Sequence, residues 1–454
     1  MTDPTPCCLI DRVALVVTSV VLVFGLFFTV PAGADEPETL TEEDWAAVST
    51  YVPFSTMQAV DGNGAPTWSV PILEWPKYAP DYPQAYKLRG VVLNDPVKML
   101  DDTPNYQEGP MWAMGGQWQV YVQAVSLPSD PAEHPELVGD YGGSAVWMGQ
   151  NYGNHYWHFP DWSYNYTNEE WVNELDRLNY PIDQRTGQLV TEPLRLGDLI
   201  EVRARGGLSH NGKFNCNEEH TNELVRDFQI FILDRDLPLT PENITLADVK
   251  EADNSFIFDS SRLSGAEHYQ ACYVTLENVT ILETGRDWES YGQVTVKDGD
   301  RTFDVKLGYN PAFDLASLPT DGISLDITGI FDQEGDPMED YRMWALSPAD
   351  FAPASPLTPG DANGDGVVNA DDAVRMAGHW GTVDDASWFD GDFNGDGCVD
   401  AVDAAILGAN WAAGSTEATP SAVPEPGALV MLLTVLGVTL CVGRFARRQI
   451  GWHR

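Results

Sequence analysis

Two acidic stretches near the C-terminus place oxygen-bearing side chains at the same intervals. The first contains Asp361, Asn363, Asp365, Gly366, Val367, Asn369 and Asp372. The second, 31 residues on, contains Asp392, Asn394, Asp396, Gly397, Cys398, Asp400 and Asp403. Counted from its first aspartate, each stretch has side-chain oxygens at positions 1, 3, 5, 9 and 12 and glycine at 6. A hard divalent cation such as Ca2+ takes about six to eight oxygen ligands, and glycine lets the chain turn sharply around it. Position 7 supplies a backbone carbonyl, so Val367 and Cys398 differ without changing the donor set. The spacing predicts two calcium ions, one per loop. Each loop runs into an Ala-led helical stretch that ends in Trp380 or Trp411, at the same offset.

Position 12 is Asp in both copies, where an EF-hand loop usually has Glu. A calcium loop followed by a single helix, repeated once, with Asp at position 12, resembles a type I dockerin over residues 359–413. The resemblance implies a small α-helical module that folds as its sites fill, because the empty carboxylates repel and the core is small. It also implies a cohesin-like partner. The positions that usually read a cohesin, 10 and 11 and often Ser-Thr, are Ala370-Asp371 and Ala401-Val402 here. A calcium-stapled structural tail without a cohesin therefore stands beside docking as a second reading.

Both ends of the chain carry export signals. Residues 13–30 are apolar, and Ala32 and Ala34 fit a signal-peptidase site that cuts before Asp35, giving a signal peptide over residues 1–34; the run is also long enough to span a membrane uncleaved, which is the other reading. Residues 428–442 form a second apolar run, flanked by Val423-Pro424-Glu425-Pro426 and by Arg444, Arg447 and Arg448. Residues 423–450 resemble a bacterial PEP-CTERM sorting signal. That resemblance implies a transmembrane sorting helix, a basic cytoplasmic end, and an exosortase-type enzyme as processing partner. A plain tail anchor is the other reading. Either way the bulk of the chain is expected outside the cytoplasm, at the cell surface or in extracellular matrix, with transient membrane attachment.

The net charge of −44 argues against nucleic acid as a partner, since phosphate contacts need Lys and Arg clusters that this sequence lacks. Cys216 and Cys272 are the only cysteines of the central region. An oxidising compartment permits a bond between them, but spacing does not decide it.

The central region reads as mainly β. Alternating, β-branched stretches fall at residues 88–94, 119–125, 143–149 and 197–206, and again at 271–282, 293–296, 302–307 and 323–331. The turn around Gly299 joins two of the second set as a hairpin. The two sets share an order, and Ile327-Thr328-Gly329-Ile330-Phe331-Asp332-Gln333 is similar to strand endings of extracellular OB modules. The resemblance implies two tandem OB-like β-barrel domains, with a β-sandwich as the alternative. The organisation is then an N-terminal segment (35–80), a first OB-like domain (81–236) with an aromatic-rich insertion, and a connecting segment (237–265) with a short helix from Thr245. A second OB-like domain (266–352), the dockerin-like module (359–414), a linker (415–422) and the sorting signal follow.

No Gly-x-Ser-x-Gly, His-Glu-x-x-His or phosphate loop is present, so no catalytic residue is assigned. The insertion holds Trp147, Tyr152, Tyr156, Trp157 and Trp162, whose rings could stack on sugars as a ligand platform; an aromatic mini-core is the competing reading. His155 and His158 with His210 or His220 and Glu218-Glu219 make a candidate zinc set, although nothing in the spacing makes them converge. Asp332, Glu334, Asp336, Glu339 and Asp340 read as a solvated turn. The functional expectation is an exported, surface-associated calcium-binding protein that binds or scaffolds, with extracellular polysaccharide as a candidate partner. The alternative is an enzyme or accessory subunit of extracellular polysaccharide degradation.

Overall fold

The structure is a computed structural model, and it describes residues 51–68, 86–101, 104, 116–151, 165–204, 207–210, 212–217, 228–286, 292–308, 318, 322–333, 340–383 and 385–411. Residues 1–50 and 412–454 therefore lie outside the description, and both terminal apolar runs with them. No helix among the described residues is long and apolar enough to cross a membrane.

The first sheet is built from β1 (Tyr86–Val92), β2 (Leu100–Asp101), β3 (Gln117–Gln123), β4 (Gly143–Gly149), β5 (Ile182–Asp183), β6 (Gln188–Leu189), β7 (Leu199–Ala204), β8 (Leu208–His210), β9 (Lys213–Asn217) and β10 (Phe228–Asp234). β1, β3 and β4 form an antiparallel meander, β9 pairs parallel with β4, and β7 returns antiparallel to β1. β8, which follows β7 after residues 205–207, pairs with β9. β10 lies on the far side of β7. Alternate residues point inward, as period-2 strands require. Leu88, Val120, Val122, Val146, Met148, Ile200, Val202, Phe214 and Phe228 meet in one core. Two helices close it: α1 (Phe54–Met57) contributes Phe54 and Met57, and α2 (Asn168–Asn179) contributes Trp171, Leu175 and Leu178. α2 starts where Thr167 and Glu170 exchange side-chain and backbone hydrogen bonds, a capping box.

The second sheet comprises β11 (Glu242–Ile244), β12 (Cys272–Arg286), β13 (Gly292–Asp298), β14 (Arg301–Leu307), β15 (Leu325–Gln333), β16 (Tyr341–Ala345) and β17 (Phe351–Pro353). β12, β13 and β14 form a meander, β16 pairs parallel with β14, β15 pairs with β16, and β15 closes on β12. That last pairing makes a five-stranded barrel rather than two facing sheets. In the first sheet β7 and β8 flank the run β1-β3-β4-β9, and no pairing between them closes the sheet among the described residues. The short helix expected from Thr245 is α3 (Leu246–Val249), and with Ile244 it is built into the second core.

The first sheet and the second, barrel-forming sheet pack directly on each other. Leu93, Met99, Tyr121 and Ala145 of the first meet Ala271, Ile330 and Trp344 of the second. β15 explains how one strand serves two cores. Leu325, Ile327 and Phe331 point into the second barrel, while Ile330 and Asp332 point at the first. Asp332 is thus not part of a solvated turn: it is 0% exposed. Its carboxylate accepts from the Tyr121 hydroxyl (2.7 Å) and the Trp344 indole (3.1 Å), and pairs with the buried Lys213 ammonium. A strand-end aspartate reads as surface only when nothing covers the outer face, and here the first sheet does. Cys216 and Cys272 belong to the two separate cores and are not bonded to each other; burial pushes the Cys272 thiol up to about 12.

Candidate metal centre

Each acidic loop is a backbone cradle closed by its own helix. In the first, the Asp361 carboxylate accepts from the amides of Gly364 (2.7 Å) and Gly366 (2.8 Å). Asn363 accepts from the Asp365 amide, and Asp365 from the Val367 amide. Asp372 spans the loop, taking the Ala362 and Asn363 amides on one oxygen and the Asn369 amide on the other. The second loop repeats this. Asp392 accepts from Gly395 (2.8 Å) and Gly397 (2.7 Å), Asp396 from Cys398 (3.0 Å), and Asp403 from Phe393 (2.9 Å) and Asp400 (2.9 Å). Gly366 and Gly397 sit at φ 85° and 80°, in the left-handed region where a side chain is strained.

The helices α4 (Ala370–Gly378) and α5 (Ala401–Ala409) begin directly at the loops. Asn369 and Asp400, at loop position 9, are the N-caps, and Asp372 and Asp403, at position 12, complete the capping boxes. This explains why Asp suits position 12: the same short carboxylate closes the loop and caps the helix. Both helices stop two residues before Trp380 and Trp411, which are about half exposed. Ala362, Val368, Met376, Phe393, Val399 and Leu407 pack between the repeats.

The electrostatics call for a cation. Asp361, Asp372, Asp392 and Asp403 are at most 3% exposed. Burial, and then the like charges of Asp372 and Asp365, raise the Asp361 carboxyl above the usual range. Asp392 and Asp403 are raised by the same causes, burial first, then Asp403 acting on Asp392 and Asp400 on Asp403. Buried oxygens of one sign, with carbonyls at Val367 and Cys398 in the same turn, form the donor set that a hard cation takes. The residues present therefore fit calcium.

The loops match a known family. Residues 359–412 match the family model of the type I dockerin domain. Type I dockerins bind calcium and dock to cohesin domains, and dockerin proteins are typically extracellular or attached to the cell surface. The dockerin does not hang free of the two sheets. Phe389, between its repeats, is fully buried in the second barrel's core, and Lys98, between β1 and β2, pairs with Asp385. Phe389 and Trp388 were not singled out by sequence reasoning; the signal for them is an aromatic pair in the otherwise polar connection between the loops.

No curated protein matches the chain. Among solved structures, a murine DNA binding protein bound with ds DNA is similar at 8% identity, covering 57% of this chain and 92% of its own, with a TM-score of 0.22. The single-stranded DNA binding protein from Thermus aquaticus is similar at 13% identity, covering 60% and 93%, with a TM-score of 0.15. Likeness at these scores carries no weight for fold or function.

The other sequence candidates separate. Trp147 lies on β4, half-buried, with its ring folded along the strand over Gly149. Tyr152, Tyr156, Trp157 and Trp162 lie outside the described residues, as do His155, His158, Glu218, Glu219 and His220. Tyr166 and Trp171, at the end of the aromatic segment, belong to the first sheet's core. Asp130, Glu133 and His134 bring ligand atoms within 4.8 Å of one another. Asp130, however, already accepts from the Arg89 guanidinium (3.0 Å), which holds its carboxyl below the usual range despite burial, so that group is an ion-pair cluster.

Proposed function

We propose that this chain is an exported docking protein whose dockerin takes two calcium ions and carries a rigid pair of OB-like barrels to a cohesin-like partner. The observation that supports it most is the pair of matched loops, each capping its own helix through Asp372 or Asp403. Asp361, Asn363, Asp365, Asn369 and Asp372, with the Val367 carbonyl, would hold one ion. Asp392, Asn394, Asp396, Asp400 and Asp403, with the Cys398 carbonyl, would hold the other. Calcium there neutralises buried carboxylates and fixes the helix starts, which is why folding and metal binding run together. Val374, Val402, Trp380 and Trp411 are apolar and well exposed on the dockerin, chemistry that suits a protein partner.

The OB-like assignment rests on the second sheet's strand order first–second–third–fifth–fourth–first, the Greek-key order of such barrels. It is a reading of fold and does not assign a ligand. Export through residues 1–34 and sorting through residues 423–450 complete the proposal and place the barrels outside the cell, where polysaccharide is the candidate ligand and nucleic acid is disfavoured by charge. The role proposed is non-catalytic. The experiment is retention of the full chain on immobilised type I cohesin domains, in calcium and in EGTA. Retention that depends on calcium supports docking. Full calcium loading with no retention on any cohesin would leave the dockerin as a structural tail.

A further inference from the structure

We infer that calcium binding is coupled to the second barrel through Trp388 and Phe389, so that the metal stabilises the barrel as well as the dockerin. The two residues open a three-residue 3-10 turn, Trp388–Asp390, started by the Ser387 hydroxyl. Phe389 belongs to the barrel's core, the cluster that also holds Leu325, Ile327 and Phe351. Trp388 packs against both that core and the dockerin's own. Its indole donates to the Asp361 carbonyl (2.7 Å), at the first position of the first loop. The same ring meets Phe393 of the second loop edge-on, with centroids 5.4 Å apart. One side chain therefore touches the barrel, the first calcium loop and the second.

The barrel reaches back. A Cβ placed on Gly364, inside the first loop, would lie 2.2 Å from Ile323 Cδ1 and 3.6 Å from Leu357 Cδ1. Ile323 leads into β15 and Leu357 follows β17, and both pack on the second barrel's core. Loop and barrel are thus in contact without a spacer. An empty loop whose carboxylates repel each other pushes on the surface that seats Phe389. A filled loop fixes that surface. Any ligand that binds only the seated state stabilises it by mass action, and the effect is reciprocal between metal and barrel.

Hydrogen exchange of the full chain, in calcium and in EGTA, tests this. The peptides to follow are residues 323–333 and 341–353. Exchange there is expected to slow in calcium, by a factor approaching 100 for each ion released on opening when free calcium is about 100 times its Kd, if opening requires the dockerin to unseat. In Phe389→Ala the slowing disappears, and calcium affinity falls although Phe389 supplies no ligand atom, because the coupling is reciprocal. Trp388→Phe keeps the ring and loses the indole bond to Asp361, so its coupling falls between the two. Should Phe389→Ala fail to fold, Ile323→Ala removes the contact from the barrel side and is expected to give the same uncoupling. Unchanged exchange in the wild-type barrel, with calcium shown by calorimetry to be bound, would overturn the coupling and leave the metal assignment intact. Wild-type calcium affinity in a folded Phe389→Ala would do the same. No bound calcium at all would overturn both.

Discussion

Asp332→Ala removes the carboxylate shared by the Lys213 ammonium, the Tyr121 hydroxyl and the Trp344 indole at the joint between the two sheets. Lys213 is 2% exposed, so water does not replace the lost partner easily. Breaking one side of a buried pair costs about 3–5 kcal/mol. Losing the two neutral donors' acceptor adds to that, at about 1–3 kcal/mol each where they stay buried. The expected loss is therefore at least ~3 kcal/mol. Equilibrium unfolding in urea, followed by near-ultraviolet circular dichroism, reads it as a lower midpoint of the first transition. The double change Lys213→Met with Asp332→Leu removes both charges of the pair while Tyr121 and Trp344 still lose this acceptor, so it is expected to recover only part of the loss, about 1–3 kcal/mol relative to Asp332→Ala. A loss under about 1 kcal/mol in Asp332→Ala, or a double variant as damaged as the single, would refute the reasoning.

Asp365→Ala removes the position-5 ligand of the first loop and is expected to lower calcium stoichiometry from two to one, by calorimetry. Calcium affinity should weaken as pH falls, because protons compete for Asp361, Asp392 and Asp403, whose carboxyls are raised by burial and like charge. Competition starts at a higher pH than for an ordinary aspartate, and binding above that window releases no protons; titrations in buffers of differing ionisation enthalpy check both points. Glu267, raised by burial against the opposing Tyr341 hydroxyl bond and Arg262 charge, holds its proton more tightly folded than unfolded. Its contribution to stability is full at low pH and is lost as pH rises through the folded value, so Glu267→Gln should flatten that part of the pH–stability curve. Gly329→Ala puts a Cβ 2.1 Å from the Trp344 carbonyl oxygen, backbone that cannot swing aside, and should cost about 1–3 kcal/mol in a melting experiment.

The calcium loops were legible because their chemistry is local: oxygens at fixed intervals and a glycine at the turn declare a site without any tertiary information. The strands were legible for the same reason. The alternation of Val294 and Val296, or of Phe303, Val305 and Leu307, marks an inner face directly. β9 escaped because Lys213, Asn215 and Asn217 alternate with Phe214 and Cys216, and a polar outer set on a short strand reads as a loop. Asp332 escaped because its partner Lys213 lies 119 residues away, a pairing that no local pattern encodes. Phe389 escaped in the same manner, since an aromatic in a short connection declares neither which core it enters nor that the connection is an anchor. What the sequence conveyed was each unit's interior; what it withheld was how the units join.

Calcium titration of the full chain by calorimetry bears most directly on the central claim. The account predicts two sites, with Kd about 10⁻⁴ M or tighter, reversed by EGTA and accompanied by a gain of helical signal in the far ultraviolet. An absence of both heat and helical gain, at millimolar calcium and neutral pH, would contradict it.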